Sequence, residues 1–224
     1  MRTIDELIQA VQREAQRASF PIDTPAYERV GKDPTRPILF AGSLEAPVCF
    51  FGRDLGKDEV AVGQPLVGAA GRLVRQGLLQ AFADEPPPKT DRWLESALQY
   101  ALLTNTVPYK PPGNKAYPGS VKERFRPFLA ELLTAHWQGD HVITLGTEAF
   151  DWFTRYTEPG AAEAFWARDD RYEAELPCVL TWDTLQKPIT LAPLPHPSPL
   201  NKRWYDLFPD LLAARLAAVR RAEG

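Results

Sequence analysis

Four short apolar runs constrain this chain more than any other feature: Val48-Cys49-Phe50-Phe51-Gly52, Ala101-Leu102-Leu103-Thr104-Asn105, Val142-Ile143-Thr144-Leu145-Gly146 and Ile189-Thr190-Leu191-Ala192-Pro193-Leu194. Each has the length of a strand, and its hydrophobicity is continuous rather than alternating, as in strands buried on both faces of a parallel sheet. Helical periodicity fills the intervals: Gly68–Leu79, a stretch around Arg92–Leu98, and a third opened by a capping box, Ser120-Val121-Lys122-Glu123. The third carries Phe125, Phe128, Leu129, Leu132 and Leu133 on one face. A capping box at Thr3-Ile4-Asp5-Glu6 opens an N-terminal helix over 3–18, and an amphipathic helix from about Asp206 to Arg221 closes the chain. Strands alternating with helices predict an α/β fold: one domain over 1–224, a three-layer α/β/α sandwich around a mostly parallel four-stranded sheet. Residues 20–46 read as an irregular approach. Pro159–Thr184 is weakly patterned, with room for a helix and an extra antiparallel strand at Cys178–Trp182.

The 224 residues suffice for one sizeable core. No apolar run has the length of a membrane span and no signal-peptide pattern opens the chain, so a cytoplasmic protein is expected; a monomer is expected as well. Cys49 and Cys178, far apart in apolar surroundings, read as two buried free thiols, and two cysteines cannot supply a four-cysteine zinc or iron–sulfur site. The net charge of −3 argues mildly against a nucleic-acid partner. Lys110, Lys115, Lys122, Arg124 and Arg126 crowd one stretch, however, which suits either a phosphate-gripping face or a merely solvated one.

In open α/β sheets, ligands bind beyond the carboxyl ends of the strands. Polar residues collect there in three segments. The first runs from Gly52-Arg53-Asp54-Leu55-Gly56-Lys57-Asp58-Glu59 through Gly63-Gln64-Pro65-Leu66-Val67-Gly68-Ala69-Ala70-Gly71. Its glycines allow close backbone approach to a phosphate or flat base, yet it is neither a Walker A loop nor a dinucleotide fingerprint. In the second, Asn105 ends a strand with an amide able to donate and accept at a base edge. A rigid Pro111-Pro112-Gly113 turn follows, flanked by Lys110 and Lys115 in the manner of phosphate contacts. The third, Pro195-His196-Pro197-Ser198-Pro199-Leu200-Asn201-Lys202-Arg203, holds His196 and Ser198 between prolines at low entropic cost.

Together, and in this order, the three segments resemble the uracil-DNA glycosylase superfamily. The first is similar to the iron–sulfur branch, whose pattern is Gly-Glu-Ala-Pro-Gly, an acidic pair, then Gly-x-Pro-Phe-Val-Gly-x-Ala-Gly. The second resembles that branch's Thr-Asn-x-x-x-Cys-Arg-Pro-Pro-Gly-Asn-Arg, and the third resembles the His-Pro-Ser-Pro-Leu of the conventional uracil glycosylases. The resemblance implies a monofunctional glycosylase that hydrolyses the N-glycosidic bond of a flipped-out damaged base, uracil first, in base excision repair. It needs no cofactor, and its partner is DNA containing that base. Asp54 would activate water and His196 would donate to the base oxygen that becomes anionic. Asn105 would read the base edge, with Gly52, Arg53, Gly56 and Leu66 lining the base. Lys110, Lys115, Ser198, Lys202 and Arg203 would touch DNA, and Leu200 would fill the gap in the stack.

This chain departs from those patterns at several positions. Arg53 stands where the iron–sulfur branch has its carboxylate; Asp54 sits where the conventional enzymes carry theirs, with Asp58 and Glu59 as fallbacks. Leu66 replaces the phenylalanine that stacks on the base, and Tyr109 replaces a cluster cysteine, so no iron–sulfur cluster is expected. Gly56 stands where a tyrosine excludes thymine, which implies a broader substrate range. Two other readings are a binder of DNA or abasic sites that lost the chemistry, and a hydrolase of a small N-glycoside.

Overall fold

The computed structural model describes residues 1–17, 19–83, 93–113, 115–198 and 201–223. In chain order the elements are α1 (Ile4–Arg17), α2 (Thr24–Glu28), β1 (Phe40–Gly42), β2 (Val48–Gly52), α3 (Lys57–Val62), α4 (Ala69–Phe82), β3 (Ala101–Asn105) and α5 (Gly119–Glu131). There follow β4 (His141–Leu145), α6 (Thr147–Asp151), α7 (Ala161–Trp166), β5 (Leu176–Trp182), β6 (Leu185–Leu194), α8 (Lys202–Tyr205) and α9 (Phe208–Glu223). A 3₁₀ segment, Trp93–Gln99, leads into β3, and Leu132–His136 continues α5 as a π-helical turn.

The four apolar runs become the central strands β3, β2, β4 and β6, all parallel. The sheet is nevertheless six-stranded, in the order β1-β3-β2-β4-β6-β5, because antiparallel strands cover both edges. The expected four-stranded sheet is therefore corrected to a mixed one. The three residues of β1 lie inside the stretch read as irregular and are too few to show a period. β5 alternates buried and exposed residues, as a strand covered on one face must. It contains the anticipated Cys178–Trp182 strand and forms a hairpin with β6.

Alternate residues of the central strands feed two cores. Cys49, Phe51, Leu102, Val142 and Leu191 pack with α1, α5, α6 and α7 on one face of the sheet. Val48, Phe50, Leu103, Ile143, Ala192 and Leu194 pack with α4 and α9 on the other. Helices thus flank the sheet on both sides. The capping box at Thr3 forms: the Thr3 N–H donates to Glu6 Oε2 at 2.8 Å and the Glu6 N–H to Thr3 Oγ1 at 3.2 Å. The one expected at Ser120 does not, because α5 already begins at Gly119 and the Glu123 carboxylate is taken by Arg126 and Arg155.

After β2 the chain moves to β3 on one side; after β3 it crosses back to β4 on the other. The connections that leave β2 and β4 diverge, and a crevice opens between their carboxyl ends, where open α/β sheets bind ligands.

Candidate active site at the carboxyl ends of the parallel strands

Asn105 closes β3 opposite Gly52 of β2 in the parallel register. Its side chain lies across the end of β2 so closely that a Cβ on Gly52 would stand 2.7 Å from Asn105 Nδ2. That approach is what position 52 requires a glycine for. Asn105 is 3% exposed, and its Oδ1 is buried without a hydrogen-bond partner. Thr106, next in sequence, ties the two loops together: its N–H donates to the carbonyls of Gly52 at 3.0 Å and Arg53 at 3.1 Å, and its hydroxyl donates to Arg53 as well.

Leu66 faces the same corner, its Cδ2 3.6 Å from where a Gly52 Cβ would lie. It occupies the left-handed region at φ 52°, which costs a residue with a side chain roughly 1–2 kcal/mol. Buried Arg75 of α4 holds it there. The guanidinium donates to the Leu66 carbonyl at 2.9 Å, the Pro65 carbonyl at 3.2 Å and Gln64 Oε1 at 3.1 Å. Gly71 allows the first turn of α4 to ride over Leu66, whose carbonyl a Cβ would meet at 2.0 Å. Glu59 closes the rest of the loop by accepting from the backbone N–H groups of Gly56, Val67 and Gly68 at 3.0, 3.0 and 2.9 Å. Its carboxylate is thereby a loop clamp.

Asp54 and Arg53 follow β2. The Asp54 side chain is 5% exposed, and neither of its oxygens has a well-aligned hydrogen-bond partner, although Arg53 Nε stands 2.8 Å from Oδ2. Burial raises the Asp54 pKa above its ordinary value, while the charges of Arg53 and Lys122 and the backbone N–H of Tyr117 pull it back. Arg53 Nη1 also lies 3.6 Å from Glu148 Oε1, and Lys122 of α5 pairs with Glu148 Oε2. Charges therefore alternate along Asp54, Arg53, Glu148 and Lys122.

Across the crevice, His196 follows β6 and packs on Gly146, where a Cβ would be 3.1 Å from the His196 Cβ. The imidazole is exposed at the mouth, yet desolvation by surrounding protein lowers its pKa, and Arg53 adds to the effect. It is neutral at neutral pH and keeps one N–H to donate. Arg53, Leu145, Gly146, Thr147, Glu148 and His196 line a cleft of about 220 Å³.

Sequence reasoning missed Glu148, Tyr117 and Arg75, and read Lys122 only as part of a basic stretch. Glu148 carried a usable signal, a polar residue just past the apolar run that ends at Gly146. The others come from α4, from α5 and its approach, and only the fold brings them in.

The residues expected on DNA are scattered. Lys110 is 3% exposed and donates to Asp23 Oδ2 at 2.7 Å and to the carbonyls of Pro111 and Gly113 at 3.0 and 2.7 Å. With all three ammonium hydrogens engaged inside the protein, Lys110 braces the Pro-Pro-Gly turn rather than offering itself to a phosphate. Lys122, Arg124 and Arg126 likewise form no free basic face: they pair with Glu148, Glu14 and Glu123. Lys115, Lys202 and Arg203 are exposed, and Arg203 lies over the Trp204 ring at 4.9 Å. Ser198 is half-buried, its N–H donating to the His196 carbonyl at 2.9 Å. Leu200, expected to enter the base stack, lies outside the described residues.

An iron–sulfur cluster does not fit these residues. The sequence has two cysteines, each buried and free, in β2 and β5. At the position of the expected cluster ligand, the Tyr109 ring packs against Phe20 and Phe125, and its hydroxyl donates to the Thr35 carbonyl at 2.9 Å. Among the described residues, no cluster of His, Cys, Asp and Glu could hold a metal ion, and no helix is long and apolar enough to cross a membrane.

A doubly wound α/β sheet with a polar crevice at its switch point has the layout in which open α/β folds bind ligands. The family model described as the uracil DNA glycosylase superfamily matches residues 40–220, and the chain belongs to that superfamily. A comparison with curated proteins found no match.

Proposed function

We propose that the protein is a monofunctional DNA glycosylase that hydrolyses the N-glycosidic bond of a flipped-out damaged base, uracil first. The observation that carries this reading is Asn105 Oδ1, buried without a hydrogen-bond partner at the end of β3, beside an Asp54 carboxylate that is buried with only the Arg53 guanidinium, Lys122 and the Tyr117 N–H to favour its charge. A buried polar atom without a partner is costly, and a ligand that supplies the partner accounts for it.

In this reading Asn105 pairs with the base edge, while Gly52 and Leu66 leave room for the ring. The bond between the sugar C1′ and the base nitrogen breaks, and its electrons pass to the base, whose oxygen gains negative charge. Neutral His196 donates its N–H to that oxygen, and Arg53 supplies positive charge nearby. Ionised Asp54 stabilises the cationic sugar and takes a proton from the water whose oxygen bonds to C1′; that proton passes to solvent, from which the departing base anion takes one up. The products are the free base and an abasic site. Lys115, Ser198, Lys202 and Arg203 are assigned to the DNA backbone, and Leu200 to the gap in the stack.

Incubation with uracil-containing single- and double-stranded oligonucleotides, followed by detection of free uracil, tests this. The Arg53–Asp54 pair favours a second reading, a DNA binder whose carboxylate is permanently neutralised. Tight, salt-sensitive DNA binding with no base released across a panel of lesions would select it.

A further inference from the structure

A second cleft, of about 400 Å³, opens where the loops after β2 and β3 meet the N-terminal segment; its walls include Asp23, Arg29, Lys57, Asp58, Lys110 and Gly113. Arg29 follows α2, which precedes the matched region 40–220, whereas Lys57 lies within it. The segment from Asp23 is locked onto the site loops. The Asp23 N–H donates to the Lys110 carbonyl at 2.9 Å, and the Lys110 N–H donates to the Tyr27 hydroxyl at 3.0 Å. Tyr27, Ile38, Leu55 and Val60 form a small core beneath it. Lys32 Nζ caps the end of α3, donating to the Val60 and Ala61 carbonyls at 2.8 Å each.

Charges within the cleft sort unequally. Lys110 and Asp23 neutralise each other. Asp58 reaches toward the start of α4, within 3.6 Å of where a Gly68 Cβ would lie. Arg29 and Lys57 are exposed, and neither forms an ion pair among the described residues; Arg29 spends only its Nε, on the Pro25 carbonyl at 3.1 Å. Two cations from separate parts of the chain thus line one cleft, Lys57 three residues downstream of Asp54 and Arg29 from the segment before residue 40.

We propose that Arg29 and Lys57 together hold one phosphodiester of the DNA strand that carries the damaged base, so that the segment before residue 40 forms part of the substrate-binding surface. The inference rests on the glycosylase reading. Two guanidinium nitrogens and an ammonium on the wall of one cleft suit the oxygens of a single phosphate.

The test places a neutral methylphosphonate at each linkage around the uracil in turn and measures binding to wild type, Arg29→Gln, Lys57→Gln and the double variant. In wild type, one linkage should weaken binding, and the same linkage should have no further effect in the double variant. The slope of log affinity against log salt should also become shallower in the variants by about 0.9 per lost contact on duplex, or about 0.7 on single strand. Thermal melting checks that the variants fold, and the DNA-side substitutions test wild type without altering it. Additive losses at every linkage, or unchanged salt slopes, overturn the inference alone. A wild type that binds no DNA at low salt overturns both it and the glycosylase reading.

Discussion

Arg53 Nε stands 2.8 Å from Asp54 Oδ2, and the same guanidinium lowers the pKa of His196 across the crevice. Burial has the larger effect on each, but one side chain thus biases both groups to which the chemistry is assigned. It does so with a position that the resembling iron–sulfur branch gives to a carboxylate.

Arg53→Met tests that control. Arg53 lowers the pKa of Asp54 and of His196, so its removal raises both. The proposed reaction needs Asp54 ionised and His196 neutral, and each state lies above the respective pKa. The acid limb of kcat/KM against pH should move to higher pH, and NMR titration of the His196 imidazole should move with it. A shift to lower pH, or none in either measurement, contradicts the assignment.

Asp54→Asn should separate activity from stability. Loss of the water-activating group should slow base release by about 10²–10⁴-fold. Because the folded protein raises the Asp54 pKa, it binds this proton more tightly than the unfolded chain does. The contribution of Asp54 to stability is therefore present at low pH and lost as pH rises through the folded pKa. Asparagine removes the buried charge, so the Tm at neutral pH should equal or exceed that of wild type. A clearly lower Tm would mean that the pairing with Arg53 outweighs the cost of burying the carboxylate.

Gly52→Ala should act through Asn105. The new Cβ would stand 2.7 Å from Asn105 Nδ2, which forces the amide aside. Base release should fall by about tenfold or more, and by little further when Gly52→Ala is added to Asn105→Ala, since residues sharing one contact are non-additive. Full additivity in the double-mutant cycle would show that the two residues act separately.

Arg75→Met removes the clamp on the Leu66 loop and leaves the Leu66 and Pro65 carbonyls without their donor. Hydrogen bonds to charged groups are worth about 1.5–3 kcal/mol each, so denaturant unfolding should show a loss of about 2–3 kcal/mol or more. Arg75→Lys should recover little, because an ammonium cannot reproduce the fork that spans three acceptors. A loss below about 0.5 kcal/mol would leave the left-handed Leu66 unexplained.

Much of the fold was legible because the four central strands are buried on both faces and so carry unbroken apolar runs. The edge strands were harder to read: β1 is three residues long, and β5 is covered on one face only. At the site, Asp54, Asn105 and His196 were legible as polar residues at strand ends. Their electrostatic environment was not, since Lys122 and Glu148 come from separate helices. Lys110 misled for the same reason. A turn follows it directly and Lys115 lies just beyond, but its partner, Asp23, lies 87 residues away.

The central claim is that Asp54, Asn105 and His196 form one catalytic base pocket. Release of free uracil from a labelled oligonucleotide, compared between wild type and Asp54→Asn, Asn105→Ala and His196→Ala, tests it most directly. The account predicts free uracil and an alkali-labile abasic site from wild type, and rates lower by about a hundredfold or more in the Asp54 and His196 variants. Equal rates in all four proteins, or no base released from any lesion while DNA is still bound, would contradict it.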